Sequence, residues 1–135
     1  MIEKSYVDNF YKKPRINFDI LSTHKEGIIV TSACLASTPC QLIIEGNFKE
    51  AEDWILKFKT LFGDDFYLEI QPNELIEQVT VNKTLVALGK KHHIKVIATN
   101  DVHYVLEEDH HAHEVLLGLQ TNKKQSDPKR WKFST

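Results

Sequence analysis

Apolar positions along the chain fall into two alternating rhythms: short β-branched runs, and longer stretches with helical spacing. The pair of rhythms occurs three times. "GIIVTSAC" (Gly27 to Cys34) is short and β-branched, the composition of a buried strand. Gly46 and Asn47 then supply a start signal and a cap, and Ala51, Ile55, Phe58 and Phe62 follow at steps of four, three and four. "FKEAEDWILKFKTLFG" should therefore lay one apolar stripe on a core and stop at Gly63. "DFYLEIQP" (Asp65 to Pro72) reads as a second strand between an acidic turn and a proline. Asn73 can cap the next helix, whose looser stripe is Ile76, Val79, Leu85 and Leu88, and whose end is Gly89 followed by lysines and histidines. "IKVIATN" is the third strand. After "DVHYVLEED" comes a third helix with Ala112, Val115, Leu116 and Leu119 on one side.

Strands that alternate with helices of this length pair in parallel through right-handed crossovers, so the pattern predicts an α/β sheet or barrel. Ligands in such folds gather where the strands end, because the loops converge there. The predicted ends are Cys34, Gln71 and the Asp101/His103 pair. Residues before Gly27 have only weak helical periodicity, and "NKKQSDPKRWKFST" after Thr121 is polar and basic. The expected organisation is a β/α body over residues 1–121 and a basic linker over 122–135. Three β/α units cannot close an eight-stranded barrel, so the pattern suggests part of a larger barrel.

The bulk properties narrow the function classes. With 135 residues, 41% of them hydrophobic, the chain can bury one sizeable core. Its formal charge of -2 gives no global field for nucleic acid or an anionic membrane, so any such contact must be local. Charges occupy the N-terminus where a signal peptide needs an apolar core, and no run approaches the ~20 apolar residues of a membrane span, so the chain reads as cytoplasmic. Cys34 and Cys40 have neither the number nor the spacing of a disulfide framework or a zinc knuckle, and free thiols are expected.

Asp101 and His103 stand two positions apart, so in extended chain their side chains leave on one face and can converge on one ion. A carboxylate with an imidazole suits zinc, manganese or iron, and Cys34 at another strand end can add a thiolate. Capping of the strand exit is the plainer use of the same residues. In "HHAH", His111 and His113 would point about 200° apart on a helix and cannot chelate together, whereas His110 and His113 could. The polar face of an amphipathic helix accounts for all three, and a helix end accounts for His92 and His93. Glu69 is expected to be a paired interior residue, with support of a metal ligand as the alternative. No Gly-rich phosphate loop and no nucleophile motif occurs, which removes whole enzyme classes. Lys123, Lys124, Arg130 and Trp131 could contact phosphates and stack on a base, or simply form a solvated tail.

"FYKKPRI", "EGIIVTSACLAS", "GDDFYLEIQ", "ATNDVHY" and "DPKRWKF" together resemble consecutive pieces of the polymerase and histidinol phosphatase (PHP) domain of bacterial DNA polymerase III alpha subunits. The resemblance covers nearly the whole chain in one register and makes residues 1–121 the C-terminal part of that domain, with 122–135 a basic linker toward a polymerase core that the sequence does not include. It implies a distorted seven-stranded β/α barrel with a metal cluster at its strand ends, used for phosphoester hydrolysis or 3'-to-5' exonuclease proofreading. Residue by residue, it makes Cys34, Asp101 and His103 metal ligands, with zinc or manganese as the ion. The family's HxH strand and its other His, Asp and Glu ligands have no counterpart here, so the piece alone is expected to be catalytically silent. The parent would extend DNA primers with magnesium and dNTPs, among DNA and other replisome subunits and away from membranes. A free-standing metal-dependent phosphoesterase and a vestigial scaffold that contacts polymerase subunits are the other readings. An open barrel also predicts self-association through strand faces such as Ile28 to Val30.

Overall fold

The computed structural model describes residues 1–8, 10–73, 75–100 and 102–130. Three strands, β1 (Val30–Thr31), β2 (Phe66–Ile70) and β3 (Lys95–Ala98), form one parallel sheet in the order β1-β2-β3. Helices α1 (Ile2–Val7) and α2 (Phe18–Thr23) precede it, α3 (Thr38–Ile44) and α4 (Phe48–Phe62) link β1 to β2, α5 (Ile76–His92) links β2 to β3, and α6 (His110–Thr121) follows β3. This is the α/β class the pattern predicts, with a small parallel sheet in place of a demonstrated barrel.

The core lies between the sheet and the crossover helices. Ala51, Ile55 and Phe62 of α4, Phe66 and Leu68 of β2, and Val81, Leu85 and Leu88 of α5 are all buried. An aromatic ladder crosses it: Phe18 meets Phe58 edge-on at 5.7 Å, Trp54 stacks on Phe58 at 3.9 Å, and Phe58 reaches Phe66 at 5.9 Å. Gly89 lets α5 close on β3, because a Cβ there would lie 2.8 Å from a Val96 methyl.

Helix α4 begins and ends where the stripe and Gly63 place it. Helix α3 is the element the strand-and-helix count omits, although Ser37 at the N-cap, Pro39 in the first turn, and buried Cys40 and Ile43 three apart are its signals. Helix α2 likewise has a side-chain cap, with Asn17 Oδ1 accepting from the Ile20 N–H at 2.9 Å. The stripe of α5 is shifted: Ile76 is 81% exposed while Gln78 and Val81 are buried. Leu75 stands at the cap in place of Asn73, which instead accepts from the Leu75 N–H and donates to Gln78. On α6 the expected stripe faces outward. Leu116 and Leu119 are 61% and 75% exposed, and Leu117 is the buried residue.

Glu52 on α4 binds two groups at the end of α5, the Lys91 ammonium at 2.6 Å and the His92 ring. Both bonds hold its carboxyl below the ordinary value of 4.5. A depressed carboxylate contributes stability that is present above 4.5 and is lost as pH falls through the lower folded-state value. Glu52→Gln should therefore melt below the wild type at neutral pH, and the gap should begin to shrink as pH falls below ~4.5 and close once it passes the lower folded-state value. A gap that is constant with pH would contradict the clamp.

Candidate metal centre at the strand ends

The parallel register brings the three predicted strand ends to one edge. Thr31 stands across from Tyr67, and Ile70 across from Ala98. Pairing runs on past the strands, since the Ser32 N–H donates to Tyr67 O and the Thr99 N–H to Ile70 O, both at 3.0 Å.

The loop that carries Cys34 is fixed by short-range bonds. Ser32 Oγ accepts from the Glu69 N–H at 2.8 Å. Ala33 has φ 59°, and its N–H donates to Thr31 Oγ1 at 3.2 Å. The Ser37 N–H then closes a turn onto Cys34 O at 2.9 Å. A left-handed alanine costs roughly 1 kcal/mol or more, so the surrounding bonds must hold it. Cys34 is a free, half-buried thiol. Cys40 is a free, buried one whose pKa burial pushes up, which suits a packing role.

Glu69 sits at the centre of this edge. Thr31 Oγ1 donates to one of its carboxylate oxygens at 2.6 Å, and Thr99 Oγ1 donates to the other. The paired interior role expected for Glu69 is thus met, and its partners come from both neighbouring strands. Beside it, Asn82 of α5 caps the end of β2, donating from Nδ2 to Gln71 O at 2.7 Å while its Oδ1 accepts from Gln78 Nε2 at 2.8 Å.

Asp101 lies outside the described residues, and His103 is exposed on the segment after β3. The rings of His103 and His113 are 5.8 Å apart, Tyr104 lies 5.3 Å from His113, and His110 lies 6.0 Å from Tyr104. The histidine side of α6 therefore turns toward this segment, with Glu114 and Leu117 one turn on. That corrects the reading of "HHAH" as a solvated polar face. His111, in agreement with its angular position, is exposed. The signal was the spacing 110, 113, 114, 117, a helical stripe hidden because its members are mostly polar.

Of the residues proposed to touch phosphates, Arg130 forks onto both carboxylate oxygens of Glu114 at 2.7 Å each. Lys123 pairs with Asp127 at 3.1 Å, Lys124 is exposed, and Trp131 lies outside the described residues. Asp127 is held below its ordinary value by the Lys129 N–H and the Lys123 ammonium.

Among the described residues no group of three His, Cys, Asp or Glu is placed to hold an ion. By donor chemistry, however, a thiolate, an imidazole and a carboxylate fit a zinc-class ion, and the sheet brings the Cys34 loop and the end of β3 to one edge.

A parallel sheet whose C-terminal edge gathers loops is the usual place for a site in an α/β fold, and comparison with known proteins gives the family. The PHP domain model matches residues 1–73, and the chain belongs to that family. It is similar to DNA polymerase III subunit alpha of Aquifex aeolicus (strain VF5), 44% identical over 88% of this chain and 10% of that protein. The corresponding figures are 41% over 98% and 11% for Thermus aquaticus, and 40% over 98% and 11% for Treponema pallidum (strain Nichols). The chain thus spans about a tenth of the length of these relatives. Among the described residues no helix is long and apolar enough to cross a membrane.

Proposed function

We propose that the chain is the PHP portion of a cytoplasmic replicative polymerase alpha subunit, and that Cys34, Asp101 and His103 hold a single zinc or manganese ion at the strand ends. The observation that carries this is the placement of the Cys34 loop and the start of the Asp101/His103 segment at the same edge of one parallel sheet, on either side of Glu69. A divalent ion bound there supplies a Lewis acid for phosphoester hydrolysis. The chain's own residues set the stage for it. Glu69 ties β1 and β3 to β2, Ala33 sets the turn before Cys34, and α6 places His113 beside His103. Three ligands are fewer than a paired-metal hydrolysis needs, so the chain alone is silent. In the parent, the partners are DNA and other replisome subunits, the polymerising ion is magnesium, and Lys123, Lys124, Arg130 and Trp131 are the candidate contacts to nucleic acid.

Metal analysis of purified protein tests the reading. Stoichiometric zinc or manganese is expected in the wild type and should be lost in Asp101→Ala, while no metal in either protein would overturn it. Metal-dependent cleavage of single-stranded DNA by this chain, abolished in His103→Ala, would overturn its silence.

A further inference from the structure

We propose that Glu69 is the positioning residue of this centre: a carboxylate that holds no ion itself but sets the separation of the Cys34 loop from the Asp101/His103 segment. The inference rests on the metal reading above and assigns its geometry to one side chain.

A glutamate in the middle strand of a small sheet must place its charge somewhere, and burying it without partners costs several kcal/mol. Here both oxygens are used, one by each neighbouring strand. On the β1 side, Oε2 accepts a hydrogen bond from Thr31 Oγ1 at 2.6 Å, which leaves a Thr31 Oγ1 lone pair to accept from the Ala33 N–H at 3.2 Å. Ala33 is the left-handed residue immediately before Cys34. A continuous chain of hydrogen bonds thus runs from the carboxylate to the backbone that aims the thiol. The Glu69 N–H adds a second tie to the same loop through Ser32 Oγ at 2.8 Å. On the β3 side, Oε1 accepts a hydrogen bond from Thr99 Oγ1, and Thr99 lies two residues before Asp101 in the chain. Thr99 is also the residue whose N–H extends the β2–β3 ladder past Ile70.

Ordinary strand pairing fixes neighbouring strands through the backbone but leaves their exits free to splay. A carboxylate bridging two hydroxyls across three strands fixes the exits themselves. The glutamate side chain offers one oxygen to each hydroxyl, a reach across both neighbouring strands that a serine or alanine in its place lacks. Glu69 has both oxygens committed to hydroxyl donors, so its use is to place ligands, and the neutral amide of glutamine can keep the same two contacts once the threonine hydroxyls rotate.

Cobalt(II) is a suitable probe, because its visible bands report coordination number and its thiolate charge-transfer band reports the bond to Cys34. Titration of cobalt into wild type, Glu69→Ala, Glu69→Gln, Thr99→Val and Cys34→Ser, with far-UV spectra and melts taken alongside, tests the proposal. The wild type should bind with a thiolate band that Cys34→Ser removes. Glu69→Ala should bind ~10- to 100-fold more weakly with a diminished band, the range seen for residues that orient metal ligands. Glu69→Gln should restore affinity to within about threefold, and Thr99→Val, which is isosteric, should weaken binding in a folded protein even where Glu69→Ala does not fold. Wild-type affinity and spectrum in both Glu69→Ala and Thr99→Val would overturn the proposal and leave the metal reading intact. Loss of binding in Glu69→Gln equal to that in Glu69→Ala would overturn it in favour of direct ligation. No cobalt bound by the wild type would overturn the metal reading and this inference together.

Discussion

Phe66→Ala is expected to destabilise the protein by ~3–5 kcal/mol, the range for emptying a fully buried aromatic site. Phe66 opens β2 and is 1% exposed, the largest of the fully buried side chains. It is also the end of the aromatic ladder that passes from Phe18 on α2 through Phe58 on α4 to the sheet. Its removal leaves a void between α4 and β2 that neither can fill, because α4 is anchored by Ala51 and Ile55 and β2 by pairing on both sides. A single domain commonly has only ~5–15 kcal/mol in total, so the variant should melt ~10 °C or more below the wild type, or fail to fold at 37 °C. Phe66→Leu, which keeps most of the volume, should cost less than ~1.5 kcal/mol. Denaturant unfolding of the three proteins measures this. A Phe66→Ala loss under ~1 kcal/mol would mean that Phe66 does not lie in the core as described.

The long elements of this fold were legible because their side chains obey one period without conflict. Helix α4 repeats large apolar residues at clean steps and ends in glycine, so both its boundaries and its buried face could be read. Strand β2 carries aromatic and aliphatic residues in a row, and its centre is buried. Helix α3 was not read because it is seven residues long, shorter than a stable period, and its cap signal lies inside a run that also looks like the exit of a strand. Helix α6 misled for the opposite reason. Its apolar residues form a clear stripe, yet the side that turns toward the preceding segment carries His110, His113 and Glu114. A hydrophobic pattern finds the buried face only when burial is what fixes the helix. Here ring contacts and the Arg130–Glu114 fork fix it instead.

The candidate site shows the same division. Cys34 and the Asp101/His103 pair were chosen from predicted strand ends, because a parallel sheet dictates where loops converge, and of these Cys34 lies just past the end of β1 while Asp101 lies outside the described residues. Glu69 was recognised as paired, but its partners could not be named, since nothing in "FYLEIQ" says that Thr31 and Thr99 fall beside it. That knowledge comes from the register, in which Glu69 stands opposite Ile97 and Thr31 opposite Tyr67. Pairing between strands this far apart in the chain is set by packing of the crossover helices, and no local motif encodes it.

Asn82→Ala should cost ~1–3 kcal/mol, more than a half-buried polar residue on a helix ordinarily would. Asn82 meets three requirements at once: its Nδ2 donates to Gln71 O at 2.7 Å, and its Oδ1 accepts from Gln78 Nε2 at 2.8 Å and from the Gln71 N–H at 3.4 Å. Gln71 and Gln78 are 5% and 2% exposed, so water cannot easily take over when the amide is removed. The penalty comes from the groups left behind, since an unsatisfied buried amide or carbonyl loses its desolvation energy in full. Asn82→Asp should be at least as damaging in spite of its equal size, because a carboxylate cannot donate to Gln71 O and sets an anion against that carbonyl. Equal stability of wild type and Asn82→Ala in denaturant unfolding would refute the assignment. The consequence reaches the rim as well. Gln71 ends the strand that carries Glu69, so a loosened Gln71 lets the Glu69 carboxylate drift between its two threonines. Cobalt affinity should accordingly fall in Asn82→Ala, by less than in Glu69→Ala, because the clasp itself is intact.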